Sequence, residues 1–426
     1  MTITSTELQE KGSAAKEAAT QLRRLSTEVK NRALRNIAEG LLAKEAAVLA
    51  ANQEDCDAGK GAGLSDALLD RLLLNHERLA AMAADVLQVA QLPDPIGEVI
   101  DMRTLPNGLQ VGRRRVPIGV IGAIYESRPN VTVDIASLCL KSGNACILRG
   151  GKEAVNSNRA LAWLVQEAIT AAGAPAHAVQ LIEDTDRALV AQMLKMRDVI
   201  DLLIPRGGAD LIRHVADNAT MPVVTGGIGV CHTYIDASAD VEMAVNVAYN
   251  AKCRRPTICN ALDTLLVHQD VSAAFLPAIG RRWADAGVEM RCDDRALRTL
   301  NAAEIAGLRA VAAREDDFGK EFLALVAAVR VVDSSAEAIG HIERYGSGHS
   351  EAIVTRDYGA AQRFLDDVDA AAVYVNASTQ FTDGAQFGLG AEVGISTQKM
   401  HARGPMGLRE LTSYKWIILG DGQTRP

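Results

Sequence analysis

Residues 116–158, VPIGVIGAIYESRPNVTVDIASLCLKSGNACILRGGKEAVNSN, read as strand, turn, helix, strand, turn, helix. The apolar runs Gly119–Ile124 and Ala145–Leu148 are the strands, and the turns that follow carry Arg128-Pro129 and Arg149-Gly150-Gly151. Two short strands joined by a helix lie parallel, because a parallel pair needs a long crossover. The pattern continues with strands at Val179–Ile182, Ile200–Ile204 and Pro222–Val224, which predicts a parallel, doubly wound lobe. A second alternating series follows near His232–Ile235, Leu262–His268, Ala327–Val332, Glu351–Thr355 and Ala372–Asn376, giving a second α/β lobe. Upstream, Leu22, Leu25, Val29, Ala33, Ile37 and Leu41 step by three or four and predict an amphipathic helix over residues 14–52. Gly59, Gly61 and Gly63 break it, Ser65 caps another helix, and Pro93 and Pro95 end that one. Asn107-Gly108 between two extended runs predicts a projecting hairpin with a type I′ turn. The tail at 413–419 reads as a last strand with no helix to cover it, so it is expected to pair with another subunit.

At 426 residues the chain is long enough for two or three lobes with sizeable cores. Its 48% hydrophobic and 23% charged content excludes a disordered or fibrous chain. The formal net charge of −8 argues against a broad basic surface for nucleic acid or anionic lipid, so any basic site must be local. No stretch supplies the ~20 apolar residues of a membrane span, and the first residues lack a signal-peptide pattern, so a cytoplasmic protein is expected. The seven cysteines (56, 139, 146, 231, 253, 259 and 292) are scattered without a C-x-x-C pair, so reduced thiols and no metal site are expected.

Several segments carry chemistry. Arg149-Gly150-Gly151-Lys152 follows a strand at the place where an adenosine ribose sits in a dinucleotide-binding unit, and two cations there would suit a 2′-phosphate, which favours NADP(H) over NAD. A solvated basic pair is the plain alternative. Gly207-Gly208 lies between the strand DLLIP and a helix opening at Ala209, so an anion could approach the free N–H groups, or the glycines could simply permit a tight turn. Thr225-Gly226-Gly227 at the lobe boundary repeats that ambiguity, with a hinge as a third option. In NAKCRRPTICNALD, Cys259 follows Arg254 and Arg255, whose guanidinium groups would favour a nucleophilic thiolate; Cys253 beside the same arginines is its competitor. The Asn130 amide, after Pro129, could donate to an oxyanion or cap a helix, and Arg128 in the same turn is a candidate for binding substrate. The glycine-rich stretch FGLGAEVGISTQKMHARGPMGL predicts a long loop or lid on which His401 and Arg403 could hold a carboxylate or phosphate, or cover a subunit interface.

Taken together, the turn with Asn130, the Arg149 turn, Cys259 after RRPTI and the late segments YGSGHSEAI and FGLGAEVGISTQKMHARGPMGL closely resemble the aldehyde dehydrogenase superfamily. Within it they are similar to the branch that reduces an acyl phosphate, L-glutamyl 5-phosphate. The resemblance implies a Rossmann-like cofactor domain (1–97 and 119–227), an α/β catalytic domain (228–395) and a small β oligomerisation element (98–118 and 396–426). It implies NADP(H) as cofactor, a homo-oligomer, and glutamate 5-kinase as a pathway neighbour. It assigns Cys259 as nucleophile, Asn130 to the oxyanion site and Arg149 to the ribose-binding turn, with Glu321 similar to the glutamate that holds the nicotinamide ribose. One departure stands out: hydrolytic members carry a general-base glutamate where this chain reads VVTGGIGV, with no carboxylate. A thioester on Cys259 is then expected to survive and exchange with phosphate.

Overall fold

The computed structural model describes residues 6–226 and 228–425, which fall into two compact units: residues up to 226 with 388–394 and 405–425, and residues 228–387 with 395–404.

The first unit opens with helices, and the single long helix expected over 14–52 is instead divided among Thr6–Leu22, Thr27–Ala43 and Glu45–Gly61. The periodic apolar stripe continues across the breaks because Leu22, Ala33, Ile37 and Leu41 are all buried. Periodicity alone does not register that Ser26 adopts an extended conformation and its hydroxyl accepts from Val29 N–H, starting a new helix. Ser65 caps Asp66–Leu72 as its position predicts, and Asn75 starts a further helix, His76–Gln91, ahead of Pro93.

Four parallel strands form this unit's sheet in the order Val179–Leu181, Ala145–Arg149, Val120–Tyr125, Leu202–Arg206. The chain leaves Val120–Tyr125 toward one side and later returns to its other side, which places a topological switch point between it and Leu202–Arg206. The fifth strand expected at Pro222–Val224 is reduced to a single bridge from Leu203 to Val223. Pro222 has no N–H with which to extend a ladder.

The hairpin strands Val99–Thr104 and Gln110–Pro117 are present, but the turn is not type I′. Leu105 O accepts from Gly108 N–H at 2.9 Å, and the left-handed position falls on Gly108, with φ +90°. A type I′ turn on Asn107-Gly108 needs positive φ at both, whereas here the hydrogen bond makes Pro106 and Asn107 the central pair and only Gly108 has a positive φ; Pro106, with φ near −65°, suits the first central position of an unprimed turn. The C-terminal strand Thr412–Leu419 pairs antiparallel with Gln110–Pro117 of its own chain, making a three-stranded sheet with the tail at one edge. Tyr414, Trp416, Ile418 and Leu419 on that strand are exposed.

The second unit contains seven parallel strands in the order Arg309–Ala312, Glu289–Cys292, Val326–Val332, Leu262–His268, Cys231–Ile235, Ser350–Val354, Ala372–Val375. Five match the strands read from sequence. Glu289–Cys292 and Arg309–Ala312 were not expected, because each has four residues and includes charged ones; Arg309 and Glu289 form an ion pair at 2.9 Å across them. Trp283, Phe275 and Tyr234 are fully buried against this sheet, and each such side chain contributes ~1.5–3 kcal/mol by leaving water.

Candidate active site

In the second unit the chemistry gathers at the amino-terminal edge of the sheet. Helix Val241–Cys253 ends at the arginines, and Cys259 lies just before strand Leu262–His268. Gly229 precedes Cys231–Ile235, and Glu321 precedes Val326–Val332. Parallel sheets usually hold ligands at their carboxyl ends, so strand order alone would direct attention to the wrong edge.

Five of the seven cysteines are buried, leaving Cys253 and Cys259 half-buried. Burial pushes the Cys253 thiol up to about 11, with Lys252 and Arg282 offsetting only part of that. Cys253 is therefore held protonated near neutrality. The segment around Cys259 is clamped from several sides. Its carbonyl accepts from the Cys231 thiol at 3.3 Å, and burial raises the Cys231 thiol well above its usual range, keeping it a donor. A Cβ on Gly229 would meet that same carbonyl oxygen at 1.8 Å, so only glycine fits there.

A short helical turn, Thr379–Phe381, holds both ends of the loop. Gln380 Nε2 donates to Ala251 O at 2.8 Å and Arg255 O at 3.3 Å, and its Oε1 accepts from Arg254 Nη1 at 3.3 Å. Thr379 donates to Asn260 O at 2.7 Å. Beneath the loop, buried Lys252 pairs with Asp263 at 3.5 Å, and burial lifts the Asp263 carboxyl to about 6. Gln380, Gly229, Cys231 and the Lys252–Asp263 pair went unnoticed in the sequence. Gly229 lies in a glycine-rich stretch that was singled out, but nothing local marks Gln380.

Glu321 qualifies one sequence inference. The stretch VVTGGIGV has no carboxylate of its own, yet Glu321 Oε1 accepts from Gly229 N–H at 3.2 Å. The fold therefore brings a carboxylate to this stretch from elsewhere in the chain. Burial raises the Glu321 carboxyl, and the Gly229 N–H offsets part of that rise. In Thr225-Gly226-Gly227, Gly227 lies outside the described residues.

The first unit assembles the other candidates at the carboxyl ends of its strands. Glu126, after Val120–Tyr125, accepts from Gly208 N–H at 2.8 Å, so at this helix start a side-chain carboxylate occupies the place considered for a phosphate. Gly207 is tight against it, since a Cβ there would approach the Glu126 carboxyl at 2.6 Å. A phosphate at Gly207-Gly208 would have to displace Glu126. Asn130 is not an N-cap: Pro129 occupies that position, and Asn130 opens helix Asn130–Lys141 with its amide donating to Asp134 Oδ2 at 2.8 Å. Arg128 is exposed in the same turn.

Arg149 is nearly buried, donating to Gly150 O at 3.1 Å and Thr185 O at 3.0 Å. Its Nε is buried without a partner among the described residues. Burial lowers the Arg149 pKa, and Glu153, Asp184 and Asp186 act against that shift. Gly150 and Gly151 carry the chain past Tyr125 and Ser127 with no room for a side chain, since a Cβ on Gly150 would lie 2.1 Å from Asn158 Nδ2. Glycines and an orphaned guanidinium nitrogen at the carboxyl end of Ala145–Arg149, the strand next to the one that borders the switch point, fit a nicotinamide dinucleotide. Lys152 is exposed beside it.

The aldehyde dehydrogenase family model matches residues 1–297 and 308–417. The chain belongs to that family. Gamma-glutamyl phosphate reductase from Dehalococcoides mccartyi strain CBDB1 is 60% identical over 419 residues, covering 98% of each chain. The reductase of the same name from Roseiflexus castenholzii is 56% identical, covering 99% of this chain and all of the other. Among solved structures, the crystal structure of gamma-glutamyl phosphate reductase from Thermotoga maritima superposes with a TM-score of 0.95 at 48% identity, covering 99% of this chain and 100% of that one. An acetylating aldehyde dehydrogenase from Geobacillus thermoglucosidasius, at 18% identity and TM-score 0.68, shares the fold. The chain thus stands in the gamma-glutamyl phosphate reductase branch of the aldehyde dehydrogenases, and family membership implies a nicotinamide cofactor.

The late loop is largely irregular, as its glycines predict. Arg403 donates to Asp369 at 2.7 Å, and Lys399 pairs with the same carboxylate at 2.5 Å, so Arg403 is engaged within its own unit. His401 is exposed. No helix among the described residues is long and apolar enough to cross a membrane.

Proposed function

We propose that the chain reduces L-glutamyl 5-phosphate to L-glutamate 5-semialdehyde with release of phosphate, the second step of proline biosynthesis, using NADPH. The observation that carries this reading is the half-buried Cys259 in a loop clamped by Gln380, Thr379, Cys231 and Gly229, beside Arg254. A thiolate there attacks the acyl carbonyl, phosphate leaves, and a thioester on Cys259 remains. The Asn130 amide donates to the carbonyl oxygen as it gains charge. Arg254 and Arg255 hold the leaving phosphate or favour the thiolate, and Gln380 orients the first of them. Arg128, His401 and Arg403 are candidates for the substrate's charged ends, with Arg403 first releasing Asp369. Arg149, Gly150 and Lys152 would hold the adenosine ribose and its 2′-phosphate, Gly207 and Gly208 the pyrophosphate, and Glu321 the nicotinamide ribose. When bound, the cofactor supplies the hydride that reduces the thioester. The hairpin and tail sheet is proposed as the element that assembles a homo-oligomer, the two α/β units as cofactor and catalytic domains, and the cytoplasm as the compartment, with glutamate 5-kinase supplying the substrate.

The test is run in reverse, by oxidation of the semialdehyde with NADP and phosphate. Cys259→Ser is expected to abolish turnover while leaving cofactor binding intact, and near-normal turnover in that variant would overturn the assignment. A second reading, a water-using aldehyde dehydrogenase, is favoured by the Glu321 carboxylate at Gly229. Turnover that is undiminished without phosphate would establish it.

A further inference from the structure

Helix Asn130–Lys141 is packed on nearly every side. Ten of its twelve residues are buried, and the two that reach partial exposure are Asn130 and Asp134. Four positions apart, they lie on the same face, one turn from each other. They are joined there by the 2.8 Å hydrogen bond from Asn130 Nδ2 to Asp134 Oδ2. These are the two positions at which the helix is not fully covered by its neighbours. A carboxylate on a helix whose other residues are nearly all buried is expensive to keep charged, and a salt-bridged partner would be the usual remedy. Asp134 has no ion pair within 4.0 Å among the described residues, and its bonded partner is the neutral Asn130 amide.

We propose that Asp134 is a positioning residue that fixes which end of the Asn130 amide faces the reacting carbonyl. The proposal rests on the reading of Asn130 as oxyanion donor given above. An amide side chain can rotate by half a turn and exchange its oxygen for its nitrogen. An ionised carboxylate only accepts, so it must be met by the nitrogen. One N–H of Asn130 is then spent on Asp134, and the other stays on the same nitrogen in a fixed direction, available to an oxygen that gains charge. With the amide reversed, a lone pair would stand in that place and repel the oxyanion.

Protonation of Asp134 removes the constraint, because a neutral carboxyl can donate to Asn130 Oδ1 and hold the reversed amide equally well. Burial lifts the Asp134 carboxyl to about 7; Asp85 pushes it further up, while the Asn130 hydrogen bond and Arg206 hold it down. The productive orientation is therefore enforced above that pH and relaxed below it.

The test is a double-mutant cycle on the full chain, read by steady-state oxidation of the semialdehyde. Asn130→Ala is expected to lower kcat by ~10²–10³-fold, the usual cost of losing one oxyanion donor. Asp134→Asn keeps the shape but accepts either amide orientation, and is expected to lower kcat by about tenfold, with KM and cofactor affinity held within about twofold. It should also lose an acid-side limb of the kcat profile near pH 7. Because Asp134 acts through Asn130, the double variant should be no slower than Asn130→Ala alone. A merely structural Asp134 would add its own loss to that of Asn130→Ala, and that additivity would overturn the proposal, as would an Asp134→Asn enzyme with unchanged kcat and pH profile. Full activity in Asn130→Ala would instead overturn the oxyanion reading. Should Asp134→Asn fold poorly, Asp134→Ser in the same cycle gives the same additivity readout.

Discussion

Gly229→Ala is the sharpest perturbation of the Cys259 loop, because the added methyl has a single neighbour that is all backbone. The new Cβ would stand 1.8 Å from Cys259 O, 2.6 Å from its carbonyl carbon and 3.0 Å from its Cα. Carbon and carbonyl oxygen approach to ~3.3 Å even in weak hydrogen bonds, so the two segments must part by about 1.5 Å. Neither can yield easily: Cys259 O is held by the Cys231 thiol, Asn260 is tied to Thr379 and Thr382, and Gly229 N–H is bonded to Glu321. Overpacking of this kind costs ~1–3 kcal/mol, lowering Tm by roughly 3–10 °C. The catalytic loss should be larger. A displacement of ~1 Å at a reacting centre costs ~10²-fold, so kcat for phosphate-dependent oxidation of the semialdehyde is expected to fall at least that far. The rate at which iodoacetamide alkylates Cys259 should change with it. Gly340→Ala is the control within the same unit. Its Cβ meets nothing within 4 Å, and in helix Ser335–Tyr345 it should raise stability by ~0.5–1 kcal/mol without touching kcat. A folded Gly229→Ala enzyme with kcat within twofold of the parent would refute the reasoning.

Three further outcomes are expected. Gln380→Met removes the donors to Ala251 O and Arg255 O and the acceptor for Arg254; kcat should fall by about 10–100-fold, and KM for phosphate should rise if Arg254 binds it, with Gln380→Glu, which keeps the acceptor, restoring the phosphate KM. In Cys259→Ser, the Cys253 thiol, raised to about 11, is thiolate on the order of 10⁻³ at pH 8; its alkylation should be slow there and accelerate about tenfold per pH unit up to that range, and fast labelling at pH 7.5 would contradict the assignment. Arg149→Ala should weaken NADPH binding, followed by nicotinamide fluorescence, much more than NADH binding, whereas equal losses would count against a 2′-phosphate contact.

Nine of the eleven parallel strands of the two units were legible because each is a short apolar run closed by glycine, proline or charge. Arg309–Ala312 escaped because an edge strand need not be apolar, and Glu289–Cys292 beside it because only two of its four residues are apolar and charged ones alternate with them. The helical preface was misdivided for a related reason: Leu22 and Ala33 are both buried, and an apolar spacing does not tell one helix from two in succession. The hairpin turn differs because Pro106 takes its first central position and leaves the positive φ to Gly108 alone.

Residue chemistry placed the candidates. Cysteine among arginines, glycines at strand ends and an asparagine after Arg128-Pro129 can each be read one position at a time, since nucleophilicity, backbone freedom and hydrogen-bond donation are local properties. What local sequence could not supply is proximity between distant residues. Glu321 comes to Gly229 from 92 positions away, Gln380 to Ala251 from 129, and Glu126 to Gly208 from 82. A carboxylate absent from VVTGGIGV as written is present there in space. The sequence by itself thus determined the two α/β units, the family and the candidate nucleophile, because periodicity and residue type carry those. Only the tertiary structure decided that burial raises the Cys253 thiol, that Gly229, Cys259 and Glu321 meet at the amino-terminal edge of the second sheet and which side chains hold the Cys259 loop, because burial and hydrogen bonding depend on neighbours that the chain brings together only by folding.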